Sequence, residues 1–186
     1  MKRTLYSIMC ILLMAASCTT DVSDKNIQLI RAAEKGDLQA VQTLLADGIG
    51  INTKTTALGL TALMMAAKEG HTEVVQFLIE RGAEVNTKGT SQGATALMVA
   101  TRNGHTEVVR LLLEEGAEVN AKTTMFATTA LMIAAVTNHT DAVRLLLEKG
   151  ADVNARDNDG VTALEAARAF GNDGIVRLLE QAGAKE

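Results

Sequence analysis

A short block recurs along this chain at a nearly fixed interval, and that interval constrains the fold more than any other feature. The block Thr-Ala-Leu begins at Thr61, Thr95, Thr129 and Thr162, at spacings of 34, 34 and 33 residues. A second block, Gly-Ala-x-Val-Asn, occupies residues 82–86, 116–120 and 150–154. A period of this length is typical of a solenoid, in which each unit buries its apolar face against its neighbours. The sequence therefore predicts a linear array of units.

The unit at residues 61–86 contains the helix signals that the other units repeat. Thr61 lies where a helix N-cap belongs, because its hydroxyl can accept a hydrogen bond from a first-turn amide. Gly70 follows the apolar residues of this first helix, as a residue that tolerates the left-handed conformation does. Apolar residues at helical spacing predict a second helix from about 72 to 81, which ends at Gly82. The chain then continues into an extended finger, so each unit is predicted to be a helix–turn–helix followed by a finger.

The last unit has the fullest form of this motif: Asp157-Asn-Asp-Gly-Val-Thr-Ala-Leu-Glu-Ala-Ala167, followed by Gly171. Two middle units contain Gly-His-Thr-Glu-Val-Val, starting at Gly70 and Gly104, and the first unit is a degenerate copy at the same offset. These residues resemble the ankyrin repeat. The resemblance implies an all-α ankyrin-repeat solenoid of five helix–turn–helix units joined by extended fingers. It also implies protein binding through the fingers and the concave face of the first helices. The units are expected at about 26–56, 57–90, 91–124, 125–157 and 158–186.

The chain departs from the family pattern in two systematic ways. Where the family has a histidine, Met64, Met98 and Met132 stand in three units and Glu165 in the last. A thioether cannot donate the hydrogen bond of that histidine, so we expect a ladder of methionines that fills space. The first three fingers are one residue longer than the last and lack its Asp-x-x-Gly sequence. Local irregularity on a regular scaffold is where we expect binding specificity.

Composition and motifs argue against several function classes. Aromatic residues make up only 2 % of the chain, and the formal net charge is -4. An acidic array without basic patches or stacking aromatics argues against nucleic acid and anionic membrane surfaces as partners. The sequence has no nucleophile motif and no phosphate-binding loop, so we expect no enzyme activity, no catalytic residue and no cofactor.

Three histidines recur every 34 residues, at His71, His105 and His139. Helix packing separates equivalent atoms of adjacent units by about 8–10 Å, whereas two ligands of one zinc ion must each lie roughly 2 Å from it. We therefore expect these histidines to be structural and predict no metal site.

The first 17 residues have the features of a signal peptide. Two basic residues precede about nine apolar ones, which suits a secretory segment and falls short of the roughly 20 needed to span a bilayer. Ala15-Ala-Ser-Cys18 resembles a bacterial lipoprotein signal, although Ala15 stands where that pattern usually has Leu. Cleavage after Ser17 by an ordinary signal peptidase, or a buried leader helix, are the alternatives.

We therefore predict a signal peptide over residues 1–17, lipidation at Cys18, a polar tether over 18–25 and the array over 26–186. The expected location is the outer membrane or the periplasmic face of a bacterial envelope, with the lipid as the only membrane contact. A soluble periplasmic or secreted protein is the alternative.

Apolar residues in the fingers and residues near the ends of the first helices are the candidate partner-binding positions. Leu58 and Leu60 either contact a partner or fold back into the stack, whereas an exposed aromatic or a flexible Met suits a binding contact. The candidate set is Leu58, Leu60, Lys68, Glu69, Gln92, Arg102, Asn103, Met125, Phe126, Val136, Thr137, Asn158, Asp159 and Phe170.

The expected function is that of a monomer that binds another protein. The first alternative is an immunity-like or inhibitory protein that occludes a basic toxin or periplasmic enzyme. The second is an envelope scaffold without one dedicated partner.

Overall fold

The computed structural model describes residues 25–55, 58–90 and 92–185 of the 186-residue chain. The predicted signal peptide, the lipidation site Cys18 and nearly all of the predicted tether lie outside the described residues. Within the described ranges, ten α-helices form five consecutive pairs. None of these ten helices has the length and apolar composition that a membrane crossing requires. In chain order they are α1 (Lys25–Glu34), α2 (Leu38–Ala46), α3 (Ala62–Glu69), α4 (Thr72–Glu80), α5 (Ala96–Arg102), α6 (Thr106–Glu114), α7 (Ala130–Thr137), α8 (Thr140–Glu148), α9 (Ala163–Ala169) and α10 (Asp173–Gln181).

A buried threonine begins the first helix of each of the last four pairs. Its backbone is extended, and its hydroxyl accepts a hydrogen bond from the amide three residues later, which satisfies a first-turn donor. In the last pair Glu165 completes a capping box, because its carboxylate accepts from the Thr162 amide at 2.7 Å. The predicted N-caps are confirmed at Thr61, Thr95, Thr129 and Thr162.

The helix pairs stack so that first helices pack on first helices and second helices on second helices. α3 packs between α1 and α5, and α7 between α5 and α9, while α4, α6 and α8 stack in the same order in the second layer. One continuous apolar cluster extends from Leu29 to Leu179 through all five pairs. The structure is the all-α solenoid that the repeat predicts.

The three methionines that replace the family histidine lie inside this stack. Met64 and Met98 are 1 % exposed, and Met132 is 2 % exposed. The expected methionine ladder is therefore present, and each of these side chains contributes roughly 1.5–3 kcal/mol by burial. The Met132 sulfur also lies 3.5 Å from the Thr129 amide, where Glu165 has its carboxylate in the last pair.

A histidine joins each middle unit to the unit before it. Nε2 of His71, His105 and His139 lies 3.0, 2.8 and 3.1 Å from the backbone oxygens of Glu34, Lys68 and Arg102. A carbonyl oxygen only accepts, so Nε2 is the donor in each case. The ring also covers a left-handed glycine of the preceding unit. A Cβ at Gly70 would lie 2.5 Å from His105 Nδ1, and one at Gly104 would lie 2.6 Å from the His139 ring. Glycine is required here both by backbone conformation and by the ring above it.

The interface between the fourth and the fifth unit replaces both members of this contact. Asn138 occupies the left-handed position with a φ of 60°. Asn172 stands where the three middle units have histidine, and its amide donates to the carbonyl oxygens of Ala135 and Val136 at 2.7 and 3.2 Å. An asparagine side chain is shorter than an imidazole, so it leaves space for the Cβ at position 138. Gly with His and Asn with Asn are therefore two matched solutions for one interface.

This match predicts a rescue. Gly104→Asn is expected to cost about 2–3 kcal/mol of unfolding free energy, because the new Cβ collides with the His139 ring. Adding His139→Asn should recover at least about 1 kcal/mol by relieving that collision. Urea unfolding followed by circular dichroism measures both changes.

The control for this pair is Gly116→Asn. Gly116 also has a positive φ, 83°, but no atom lies within 4 Å of a Cβ built there. Asparagine tolerates this conformation, so the control should cost less than about 1 kcal/mol. Additive effects of Gly104→Asn and His139→Asn would contradict the proposed match.

Candidate partner-binding face

Each of the four fingers between helix pairs ends in a turn that the backbone closes. In the first three fingers an amide donates to the carbonyl oxygen four residues earlier, from Gly59, Gly93 and Ala127, at 3.0, 3.0 and 3.1 Å. The last finger has one residue fewer, and Gly160 donates to the Asp157 oxygen three residues earlier at 3.1 Å. The longer fingers therefore form a turn despite lacking the Asp-x-x-Gly sequence, and the extra residue only widens it. Ala127 occupies the left-handed position with a φ of 55°, where the other fingers have glycine.

A polar side chain at the base supports three of these turns. In the last finger the Asp157 carboxylate accepts two backbone amides, at 2.9 and 2.8 Å. In the first and third fingers the hydroxyls of Thr55 and Thr123 do this instead, each accepting the amide five residues later at 3.0 and 2.9 Å. Gly89 has no side chain, so the second finger is closed by its backbone.

Neighbouring finger tips are joined by backbone hydrogen bonds. The amides of Thr90, Thr124 and Asn158 donate to the carbonyl oxygens of Leu58, Gln92 and Phe126 at 3.0, 2.9 and 3.0 Å. The methyl groups of Thr90 and Thr124 also cover the turn glycines of the preceding fingers, where a Cβ would lie 2.5 and 2.6 Å away. The tips therefore form one continuous row.

A lysine at the base of each of the first three fingers links the row a second time. The Nζ atoms of Lys54, Lys88 and Lys122 donate to the backbone oxygens of Lys88, Lys122 and Arg156 at 3.3, 2.9 and 2.9 Å. All four residues are exposed. We call the surface formed by the fingers and the first helices the finger face.

The apolar candidates differ in exposure on this face. Met125 is 52 % exposed and Phe170 39 % exposed, whereas Leu58 and Phe126 are half-buried. Leu60 is half-buried and packs against the core, so of the two alternatives left open for it the structure shows the folded-back one.

Val136 does not belong to the exposed set. It is 7 % exposed and packs with Ala166 and Val161 of the next unit. The expectation that its side chain faces a partner is wrong, because the first helix and finger of the last unit cover it.

Several polar candidates are held by their own surroundings. Lys68 and Glu69 form an exposed ion pair at 2.7 Å, a kind of contact that contributes at most about 1 kcal/mol. Side chains of Asn103, Thr137 and Asn158 donate to backbone oxygens at 2.8, 2.9 and 3.0 Å. Asp159 is exposed beside Asn158 on the last finger.

A shallow cleft of about 20 Å³ brings two of the candidates together, Gln92 and Arg102. It lies between the second and third fingers and the helices α5 and α7. Burial lowers the pKa of the Arg102 guanidinium, since a charged group loses solvation there. The cleft also contains Val99 and Ile133, which the sequence analysis missed. Both follow the Thr-Ala-Leu-Met block directly, and this position is apolar in all four units (Met65, Val99, Ile133 and Ala166).

The family model for ankyrin repeats matches residues 29–123 and 122–185, which is most of the chain. The chain belongs to the ankyrin-repeat family. No curated protein matches it. Ankyrin repeats are generally protein–protein interaction modules, and the family is typically non-enzymatic.

The charges of this ankyrin array are divided between its two layers. The fingers and first helices, residues 26–36, 53–55, 58–71, 87–90, 92–105, 121–139 and 155–172, contain nine basic and five acidic residues, a formal charge of +4. The remaining described residues from 37 to 185, which form the second-helix layer, contain six basic and fourteen acidic residues, a formal charge of -8. The array is acidic overall, but the expectation that it has no basic patches is wrong, because the finger layer carries a net positive charge.

One buried polar atom of the third finger has no partner. Thr128 is 0 % exposed, and its Oγ1 makes no hydrogen bond within the described residues. The other fingers have Leu60, Ala94 and Val161 at this position. A buried hydroxyl without a partner loses its hydration and gains nothing in return.

We expect Thr128→Val to raise the unfolding free energy by about 1 kcal/mol, since it removes the unsatisfied hydroxyl without changing the shape. The matched control is Thr123→Val, which removes the hydroxyl that accepts the Thr128 amide. That change should lower stability by about 1–2 kcal/mol. Thermal unfolding of both variants measures the difference, and equal effects would show that the Thr128 hydroxyl is satisfied.

Proposed function

We propose that this protein is an exported, lipid-anchored ankyrin module that binds a partner protein through its finger face. The observation that carries the proposal is an exposed apolar side chain, Met125, on a backbone held from both sides. Its carbonyl oxygen accepts from the Asn158 side chain at 3.0 Å, and the turn around it is closed by the bond from Ala127 to Thr123. A side chain presented on an ordered backbone loses little conformational entropy when a partner docks.

The neighbouring residues extend this contact along the array. Phe126 and Leu58 offer half-buried apolar surface on the third and first fingers, and Phe170 is exposed at the end of α9. Met and aromatic side chains are common in binding hot spots, because they bury a large apolar area in a partner pocket. The finger face therefore suits an elongated partner segment that crosses several units.

The proposed anchor comes from the leader sequence. Cys18 follows three small residues that themselves follow an apolar run, and only six residues separate it from α1. Six residues reach at most about 20 Å, so lipidation would hold the array close to the membrane surface. Several acyl chains together give stable attachment, because each buried CH₂ contributes about 0.8 kcal/mol.

Site-specific photo-crosslinking tests the binding face. A photo-reactive amino acid at Met125 should yield a discrete adduct in the cells that produce the protein, and Met125→Ala should reduce partner recovery about tenfold without changing the melting temperature. The same probe at Arg144, an exposed residue of α8, is the control and should give no such adduct. Adducts at Arg144 and none at Met125 would place the binding surface on the second-helix layer instead.

Metabolic labelling with a fatty-acid analogue tests the anchor. The wild-type chain should incorporate the label, and Cys18→Ser should lose it because the acylated thiol is gone. Cys10→Ser is the matched control, since Cys10 lies inside the predicted signal peptide and should not affect labelling. An unlabelled wild-type protein that begins at Cys18 would instead support ordinary secretion.

An inhibitory protein is the second candidate function, and the charge of the second-helix layer favours it. A formal charge of -8 on that layer would attract a basic toxin or enzyme. The two candidates use opposite surfaces, so the adducts at Met125 and Arg144 separate them.

A further inference from the structure

We infer that the partner of the finger face is an acidic protein segment, one whose Asp and Glu side chains lie along the first three fingers. This inference rests on the proposed function, and it names the chemistry of the partner. It comes from the distribution of charge on the finger face and from the contacts that hold the basic side chains in place.

The basic residues of this face are concentrated in the middle of the array. Between residues 53 and 139, the described fingers and first helices contain five basic residues and one acidic residue. That acidic residue, Glu69, is already paired with Lys68 at 2.7 Å. We call this part of the finger face, residues 53–139, the strip. Its other basic residues are Arg102 and the three finger lysines, Lys54, Lys88 and Lys122.

The three finger lysines are held in place but are not neutralised. Each Nζ donates to a backbone oxygen of the next finger, at 2.9–3.3 Å, which fixes the position of the charge. No carboxylate of the described residues lies within 4.0 Å of Lys54, Lys88 or Lys122. An ammonium group has three donors, so each lysine can bind an external carboxylate and keep its carbonyl contact.

Arg102 adds a partly buried cation beside apolar surface. It lies in the cleft with Val99 and Ile133, and burial lowers its pKa because the guanidinium loses hydration. The positive charge of Arg102 adds to the potential of the strip without a partner group entering the cleft, whose volume of about 20 Å³ holds about one water molecule.

The strip ends at the last unit. There the carboxylates of Asp157, Asp159 and Glu165 outnumber the basic residues Arg156 and Arg168. Arg156 lies 4.0 Å from Glu165, and Arg168 pairs with Glu180 at 2.8 Å. The net positive strip therefore covers the first three fingers, which are the longer ones, and the helices α3 and α5 that lie between them.

The geometry of the array sets the spacing of the partner charges. Equivalent atoms of stacked helices lie about 8–10 Å apart, and a polyproline II segment advances about 3.1 Å per residue with three residues per turn. Every third side chain of such a segment lies on one side, so an acidic residue at every third position would meet successive lysines. Nucleic acid is a poorer fit, because this strip offers only the Phe126 ring for stacking within the described residues.

Defined peptides test the inference with the full-length chain in mild detergent. The probe is an 18-residue fluorescent peptide of six Glu-Ser-Leu repeats, and the comparison peptide has Lys in place of Glu. Fluorescence anisotropy at about 50 mM salt should show saturable binding of the acidic peptide only, weakening as salt rises. Lys88→Gln with Lys122→Gln should weaken binding about tenfold, and Arg substitutions at both positions should preserve it.

The matched control is Arg144→Gln with Lys149→Gln, which removes the same charge from the second-helix layer. It should change the affinity by less than about twofold, because these residues lie in the other layer. Circular dichroism checks that all variants keep their helices.

Four outcomes of the binding assay would overturn the inference. These are preferential binding of the Lys peptide, no saturable binding below about 1 mM, an equal loss in the control variant, or tighter binding of a single-stranded DNA of the same charge. Self-association that Lys88→Gln with Lys122→Gln abolishes would also overturn it, since a second copy would then be the occupant. If the acidic peptide fails while the Met125 adduct persists, the proposed function stands with a partner of different chemistry. Loss of the Met125 adduct as well would contradict both the inference and the proposed function.

Discussion

Each helix pair in this chain can bury its apolar side only against the next pair, and every other feature depends on that contact. The interface combines buried apolar side chains with a directional hydrogen bond. Met64, Met98 and Met132 fill the space between first helices, while a histidine reaches back to a carbonyl of the preceding unit. The ring fits only because the residue beneath it is a glycine with positive φ. Where Asn138 replaces that glycine, Asn172 replaces the histidine, so both residues of this contact change together.

The same stacking turns the fingers into a surface. A finger bonded only within itself would move independently, but each tip here donates to the tip before it, and each base lysine reaches the next base. These links use backbone atoms and the lysine side chains at the finger bases, so the residues at the tips can vary without breaking the row. Met125 and Asp159 therefore occupy neighbouring tips with very different chemistry. The backbone of the array provides the shape of the surface, and the variable side chains provide its specificity.

The role of a residue could be predicted from the sequence where its residue type has one physical use. It could not be predicted where the exposure or conformation of the residue depends on a neighbouring unit. A threonine before an apolar run is an N-cap, and a glycine after it is a left-handed stop, so both were predictable at Thr61 and Gly70. The turns of the longer fingers were harder to predict. Thr55 and Thr123 support them with a hydroxyl in place of a carboxylate, and Ala127 takes a conformation that usually needs glycine. Val136 could not be placed from its own position, since Ala166 and Val161 of the next unit bury it.

The net charge of the whole chain was also misleading. Segments that are net positive and net negative follow each other along the sequence, but the structure places them in different layers. Helix layers lie about 10 Å apart, and at physiological salt the Debye length is about 8 Å, so a charge in one layer is substantially screened from a partner that touches the other. A partner carboxylate that contacts the fingers therefore interacts more strongly with Lys88 and Lys122 than with the acidic layer behind them. The acidic layer still acts at longer range, where it disfavours approach of an anionic segment to the second helices. An array with a formal charge of -4 can thus attract an acidic partner on one face and direct it away from the other.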